Sequence, residues 1–199
     1  MKKFKLTSEF IVDISGVKLF RIKALIEFGN VKAGDLGGYI EKEENLSHMG
    51  DAWVSDDARI SGNAQVFGNA QVFGNARVFG NAWVSGNARV SGDTQVFGDA
   101  RVFGNAQVFG NARVFGDAQV SGNARVSGDK DYAYAHGFGS VNRTTTFFRL
   151  KDGGVGVRCG CFYGTLAQFR DKIRETHGET KKAQEYLMLA DLMKLRFEK

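Results

Sequence analysis

Residues 100–117 read Ala-Arg-Val-Phe-Gly-Asn, Ala-Gln-Val-Phe-Gly-Asn, Ala-Arg-Val-Phe-Gly-Asp, which is one six-residue unit written three times. The period runs without insertion from Ala52 to Asp129, and its third position is always Val or Ile. Because Ala and Val alternate with other side chains, they face one side of a short strand. The following Gly-Asn or Gly-Asp pair predicts a turn, since both residue types tolerate positive φ.

A strand this short cannot bury its inner face alone, so successive coils must stack. Three six-residue sides close a triangle of eighteen residues. We therefore predict an all-β parallel β-helix, left-handed, with hexapeptide repeats and triangular coils. A right-handed helix or a solenoid of another cross-section is the alternative. Stacking at this period places Asn69, Asn87, Asn105 and Asn123 in one ladder of side-chain amides.

The repeat divides the chain into an N-terminal β cap at 1–51, the β-helix at 52–131 and a C-terminal module at 132–199. Gly37-Gly38 in the first segment is interpreted as a tight turn entering the rod. The third segment predicts a hairpin with strands at 144–151 and 155–162, then helices at about 165–178 and 180–197. So small a module should dock on the rod or on a neighbouring subunit.

The net charge of +5 comes from the C-terminal segment, because residues 1–50 carry +1 and residues 51–131 carry −1. This bias permits an acidic partner, and nucleic acid is not expected. No apolar run is long enough to span a bilayer, and no signal peptide is recognised, which favours a cytoplasmic protein without membrane contact. Cys159 and Cys161 are expected to be free thiols.

Several segments resemble a family of bacterial and prophage hexapeptide-repeat proteins that carry acyltransferase-like or polymer-forming labels. The resemblance rests on the hexads, on residues 19–25, 34–41 and 44–47, and on a tail from Phe147 onward. It implies a left-handed β-helix and phage association, hence the cytoplasm of the host cell. It brings no established activity with it.

Acyl transfer needs a base, usually His, and residues 52–129 contain neither a His nor an inserted loop. The three histidines are His48, His136 and His177, of which only His136 is a tolerable candidate. Cys159-Gly160-Cys161 lacks the spacing of a zinc site. We therefore predict no catalytic residue, no metal and no cofactor.

The position after each inward Val or Ile points outward and is Phe or Ser. Exposed aromatic side chains in register mark a contact surface, and a homotrimer is expected by analogy with this fold. The candidate interface residues are Phe79, Phe97, Phe115, Phe73, Phe109, Phe67 and Phe103. Alternatively, the stems of Arg and Gln or the C-terminal helices cover these rings.

The sequence favours a non-catalytic oligomeric binding or scaffold protein that captures a host protein or a small, nucleotide-like anion to counter host defence. An acyltransferase-type enzyme and a structural self-assembling protein are the alternatives. Cations of the predicted hairpin are expected to converge on the ligand, and they merely solubilise the module in the alternative reading. The candidate binding residues are Arg143, Arg149, Lys151, Arg158 and His136.

The inward register is tested by Val96→Asp. An unpaired carboxylate inside the closed rod should lower the free energy of unfolding by several kcal/mol, roughly the penalty for burying an unsatisfied charge. Thermal melting followed by circular dichroism measures this effect. A melting temperature within a few degrees of wild type would mean that Val96 faces solvent.

Overall fold

Alternation along the hexads is confirmed by burial. In the computed structural model, which describes residues 1–138 and 142–198, the Val or Ile of every unit is fully buried, and so are the Ala residues at the first position. Thr94 replaces one of these Ala residues, and its hydroxyl donates to the carbonyl of Ser91 at 2.6 Å. The interior of the solenoid is therefore apolar and tightly filled along its length.

Each unit forms a two-residue strand at its second and third positions, which gives thirteen strands within the described residues. They are β4 (Trp53–Val54), β5 (Arg59–Ile60), β6 (Gln65–Val66), β7 (Gln71–Val72), β8 (Arg77–Val78), β9 (Trp83–Val84), β10 (Arg89–Val90), β11 (Gln95–Val96), β12 (Arg101–Val102), β13 (Gln107–Val108), β14 (Arg113–Val114), β15 (Gln119–Val120) and β16 (Arg125–Val126).

Every third strand pairs in parallel, so residues eighteen apart are neighbours. Val78 pairs with Val96, and Val96 with Val114. Three parallel sheets result, with β5, β8, β11 and β14 in the first, β6, β9, β12 and β15 in the second, and β4, β7, β10, β13 and β16 in the third. The predicted β-solenoid of parallel sheets is thus confirmed.

The solenoid has about five coils, and its first coil comes from residues ahead of the hexads. Strand β3 (Leu36–Ile40) pairs in parallel with β5, and Leu46 bridges Val66. Both pairings join residues twenty apart instead of eighteen, because two extra residues lie between Leu46 and β4. This departure from the six-residue period hides the first coil from a search for repeats.

Glycine is required at the corners of the solenoid. Gly98 has a φ of +70°, and a Cβ there would lie 3.1 Å from the backbone nitrogen of Gly116 in the next coil. A side chain at this position would combine backbone strain with a tight contact to the next coil. The same corners carry the predicted amide ladder, in which Asn69 donates to Asn87 at 3.2 Å and Asn87 to Asn105 at 3.1 Å.

An antiparallel meander of β1 (Phe4–Val12), β2 (Lys18–Ala24) and β3 extends the first sheet at the N-terminal end. Gly37 and Gly38 lie within β3, so the prediction of a turn at these residues is wrong. Their glycine character serves close packing, since a Cβ on Gly37 would lie 2.5 Å from the carbonyl oxygen of Val54.

Lys3 is buried where this meander meets the solenoid, with only 1% of its surface exposed. Its Nζ donates to the carbonyls of Ala52 at 2.8 Å and Gly50 at 3.2 Å, and lies 4.6 Å from the ring centroid of Phe28. Burial lowers the pKa of Lys3 to about 8, partly opposed by Asp51. The ammonium satisfies carbonyls at this end of the rod.

The C-terminal module contains a four-stranded antiparallel sheet in the order β17-β18-β19-β20 and two helices. Its elements are β17 (Tyr132–Phe138), β18 (Arg143–Arg149), β19 (Val155–Cys159), β20 (Phe162–Thr165), α1 (Leu166–His177) and α2 (Lys181–Phe197). Outside the module, two short 3-10 helices lie at Glu43–Asn45 and Asp129–Asp131. Both predicted helices are confirmed, with the Thr165–Gln168 capping box, and so is the hairpin turn between β18 and β19. The predicted return strand at 155–162 is wrong in its second part, because β19 ends at Cys159 and a turn at Gly160-Cys161 separates it from β20. The outer strands β17 and β20 were not predicted.

One face of this sheet closes the end of the solenoid, and the other carries the helices. Tyr132 and Phe148 belong to the solenoid core, and Thr146 accepts a hydrogen bond from the Gln119 backbone at 2.9 Å. Phe147 and Val157 point the other way, into a separate core with α1 and α2. The module therefore docks on the end of the rod, as its small size predicts.

Within the described ranges, neither helix combines the length and the apolar character needed to cross a bilayer.

The buried Lys3 predicts a pH dependence of stability. Since its folded pKa of about 8 lies below its ordinary value of 10.5, the unfolded chain binds more protons between these values. The contribution of Lys3 to the free energy of unfolding should therefore rise with pH across that window. Urea unfolding at several pH values, compared with Lys3→Met, isolates this contribution. A wild-type minus variant difference that stays flat or falls would contradict it.

Candidate functional site

Arg149 is engaged within its own chain. Its Nη1 donates to the Gly153 carbonyl at 3.0 Å and its Nη2 to the Phe197 carbonyl at 2.8 Å, while the guanidinium lies 5.1 Å from the centroid of the Phe197 ring. A cation at the last carbonyls of a helix is favourable, because the helix dipole is negative there. Arg149 thus joins the hairpin turn to the C-terminal end of α2.

Arg158 lies on the opposite face of the sheet. It pairs with Thr146 on β18, so it shares the face of Phe148 that closes the rod. Its guanidinium carbon is 5.3 Å from the centroid of the Phe103 ring, and its Nε is buried with no hydrogen-bond partner in the described part of the chain. Arg149 and Arg158 therefore do not converge, contrary to the expectation from the hairpin pattern.

The remaining candidate cations are spread over the module. Lys151 follows the end of β18 and is exposed, with its backbone nitrogen donating to Asn123 at 3.1 Å. His136 is 57% exposed, with Nδ1 at 2.8 Å from Thr144 Oγ1 and 3.7 Å from Asp117 Oδ2. Arg143, at the start of β18, lines a cavity.

This cavity, of about 260 Å³, lies between the sheet and the two helices. Its aromatic and aliphatic walls are Phe162, Phe169, Ile173 and Tyr186, and its polar lining is Arg143, Lys172, Thr176, His177, Cys159 and Cys161. We call it the module cavity. It brings together residues that lie far apart along the chain, with β18, the β19–β20 turn, α1 and α2 each contributing at least one side chain.

The two thiols reach the module cavity from a tight turn. Cys159 pairs with Phe162, so Gly160 and Cys161 form a two-residue hairpin loop, and Gly160 has a φ of +57°. Gly at the first loop position with positive φ is typical of a type II′ turn. Both cysteines are free, as predicted. Both cysteines line the module cavity.

Tyr186 forms the inner wall. Burial raises the pKa of Tyr186 to about 12, and the neighbouring Cys159 adds to this shift. The hydroxyl therefore stays neutral at physiological pH and donates to the Phe138 carbonyl at 3.1 Å. Thr145 Oγ1 donates to Cys159 Sγ at 3.2 Å, which fixes the position of this thiol in the cavity lining.

His48 lies at the opposite end of the molecule and uses both ring nitrogens. Nδ1 accepts from the Lys3 backbone at 3.1 Å, so Nε2 carries the proton and donates to Glu43 Oε1 at 2.6 Å. Its ring stacks on Phe4 with centroids 4.4 Å apart. His48 therefore tethers the N-terminal strand to the first coil.

His177, at the end of α1, stacks on the Tyr186 ring with centroids 5.9 Å apart.

The outer phenylalanines form three columns with different surroundings. Phe73 and Phe109 alternate with Ser91 and lie 5.4 and 5.3 Å from the guanidiniums of Arg89 and Arg125. In the second column, Phe67 packs edge-on against Trp83 with centroids 6.1 Å apart, and Phe103 lies beneath Arg158. Arginine side chains thus cover part of this surface.

The third column, Phe79, Phe97 and Phe115, is uninterrupted and is called the phenylalanine column below. Phe79 and Phe97 stack with centroids 4.9 Å apart, and Phe97 and Phe115 at 5.3 Å. Phe115 meets Tyr134 of the module edge-on at 5.7 Å and is 37% exposed. No cation lies over these three rings among the described residues.

A scan of protein families matches the YdcK Beta solenoid repeat to residues 70–86, 82–96, 94–108, 106–118 and 118–129 of this chain. The matched residues all lie within the coils. They make the chain similar to a repeat family of β-helical proteins and leave both end segments unmatched. Comparison with curated proteins gives no match.

The engagement of Arg149 predicts a local loss of stability on substitution. Arg149→Gln removes two hydrogen bonds and a ring contact and should cost about 1–2 kcal/mol of stability. Hydrogen exchange should show faster exchange of the α2 amides in this variant, whereas Lys151→Gln, an exposed neighbour, should change little. Equal exchange of α2 in the two variants would refute the tethering role.

Proposed function

We propose that the protein is a non-catalytic binding protein whose copies associate side by side, so that one rigid scaffold displays several C-terminal modules. The observation that carries this proposal is the phenylalanine column, the one outer aromatic column that neither serine residues interrupt nor arginine covers within the described residues. A stack of partly exposed rings loses unfavourable hydration when a second apolar surface covers it.

Two columns of opposite charge flank these rings. Two positions before each Phe are Arg77, Gln95 and Arg113, and two positions after are Asn81, Asp99 and Asp117. The eighteen-residue register stacks each set vertically, and Asn81 donates to Asp99 at 3.1 Å. Neither arginine has a carboxylate within ion-pair distance in its own chain, as far as the described residues show. These charges remain available to a neighbouring copy.

Charge complementarity selects the orientation of such a neighbour. When the symmetry axis runs along the rods, the arginine-containing column of one copy faces the acidic column of the next. When the rods run antiparallel, like charges face each other, which is unfavourable. We therefore infer a cyclic assembly of parallel rods, with the trimer as the expected form. All C-terminal modules then lie at the same end.

Binding is assigned to the module because the coils repeat the same surface, whereas the module cavity is formed once in each chain. Engagement of both His48 nitrogens argues against that histidine as the base of an acyltransferase. Core residues Phe4 and Phe148 cover the two ends of the solenoid, which argues against end-to-end polymerisation. The same proposal includes a left-handed coil of hexapeptide repeats. It also includes a phage origin for the protein and capture of a host molecule by the module.

Phe97→Ser tests the assembly. Ser occupies the equivalent position of other coils, as in Ser61 and Ser91, so the fold should tolerate the change. Wild type should sediment at about three times 21.8 kDa, and Phe97→Ser should shift toward the single chain. The matched control is Phe109→Ser, which removes a ring already covered by Arg125 and should keep the wild-type mass.

Two results would overturn the proposal. Wild type that sediments as a single 21.8 kDa species at micromolar concentration has no side-by-side assembly. Equal dissociation of Phe97→Ser and Phe109→Ser would mean that the phenylalanine column is not the contact surface.

A further inference from the structure

We propose that the module cavity binds a small anion that carries an apolar or aromatic body, with a carboxylate or phosphate as its charged group. This inference rests on the proposed binding role of the C-terminal module and names the chemical class of its ligand.

The deep walls of the cavity are apolar. Phe169 and Ile173 are 4% and 3% exposed, and Phe162 is half-buried beside them. The Phe162 and Phe169 rings have centroids 5.4 Å apart and an interplanar angle of 46°. Aromatic walls at such angles present both ring edges and ring faces to an occupant. An apolar or aromatic group therefore gains burial at this position.

The rim of the cavity is basic. Arg143 and Lys172 are exposed at the opening, His177 lies beside them, and no Asp or Glu belongs to the lining in the described residues. Lys172 Nζ is 3.0 Å from Glu175 Oε2, an exposed pair of the kind that contributes little and that an anion can displace. The unbalanced positive charge over an apolar pocket favours an amphipathic anion.

Arg143 differs from the other arginines of the sheet. Arg149 and Arg158 are occupied by carbonyls or by a ring, whereas the Arg143 guanidinium makes no hydrogen bond to any described residue. It lies over the Gly160 turn, where an added Cβ would overlap its Nη1. Glycine at this turn therefore gives the guanidinium room, and a planar fork suits carboxylate and phosphate oxygens.

The size of the cavity limits the ligand. Its volume of about 260 Å³ falls just below the roughly 300–1,000 Å³ of sites for drug-sized molecules. A single ring or a short branched chain with one charged group fits this space, and a dinucleotide exceeds it. The neutral hydroxyl of Tyr186, kept protonated by burial, adds no opposing charge.

Titration calorimetry of the full chain with phenyl phosphate and phenylacetate tests the inference. At least one of these probes should bind, while inorganic phosphate and benzyl alcohol, which keep only the charge or only the ring, should bind more weakly. Binding of phenyl phosphate alone identifies a phosphate ligand, and binding of phenylacetate alone identifies a carboxylate. Equal binding of benzyl alcohol would overturn the requirement for an anion.

A pair of double variants locates the site. Arg143→Gln with Lys172→Gln should weaken binding by about tenfold or more, since each charged hydrogen bond to an anion is lost. Lys181→Gln with Lys182→Gln removes the same charge from exposed positions outside the cavity and should leave affinity within about twofold of wild type. Equal loss in both double variants, or no binding of either anionic probe to folded wild type, would overturn the inference.

Sedimentation of the same samples separates this inference from the proposed function. If the wild type assembles but binds neither anionic probe, the ligand class is overturned and the proposed assembly stands. Wild type that binds a probe as a single 21.8 kDa chain supports the module cavity and overturns the proposed assembly.

Discussion

Backbone hydrogen bonds between stacked coils hold every coil of this protein against the next. The Arg77 amide donates to the Thr94 carbonyl at 2.9 Å, and the Phe79 amide donates to the Val96 carbonyl at 3.0 Å. Such bonds form only where two backbones approach to the spacing of a β-sheet. Glycine corners and a small interior of Ala and Val are the sequence conditions for that approach. The amide ladders and aromatic columns follow, because they stack what the backbone has already aligned.

The regular six-residue period explains why the coils at 52–129 could be predicted from the sequence, whereas the first coil and the N-terminal strands could not. Alternation of Val96 and Phe97 fixes which side chain is inside, and burial confirms it at every hexad. The first coil escaped prediction because its pairings join residues twenty apart. Gly37 and Gly38 were assigned to a turn because glycine marks turns and close approaches alike. The tertiary neighbours of Gly37, among them the Val54 carbonyl, distinguish the two cases.

The C-terminal module contains the features that the sequence alone does not reveal. Arg149 and Arg158 look equivalent as cations on a hairpin, yet strand register places them on opposite faces, and each is used internally. The module cavity was not predicted, because its lining comes from separate elements and each residue has an ordinary structural explanation alone. A local signal existed in Cys159-Gly160-Cys161, whose central glycine indicates a tight hairpin that brings two side chains to one site. The sequence alone does not say what faces that turn.

The end segments set the register of the coils as well as covering the ends of the rod. Coils with nearly identical sequences can pair one turn out of place with little loss, so a folding chain risks slipped states that satisfy most of its hydrogen bonds. Phe4 and Lys3 at one end, and Tyr132 and Phe148 at the other, pack against the coils at those ends. They make the correct alignment the one that leaves neither end open. Correct alignment of the repeats in such a chain therefore depends on its non-repeating end segments.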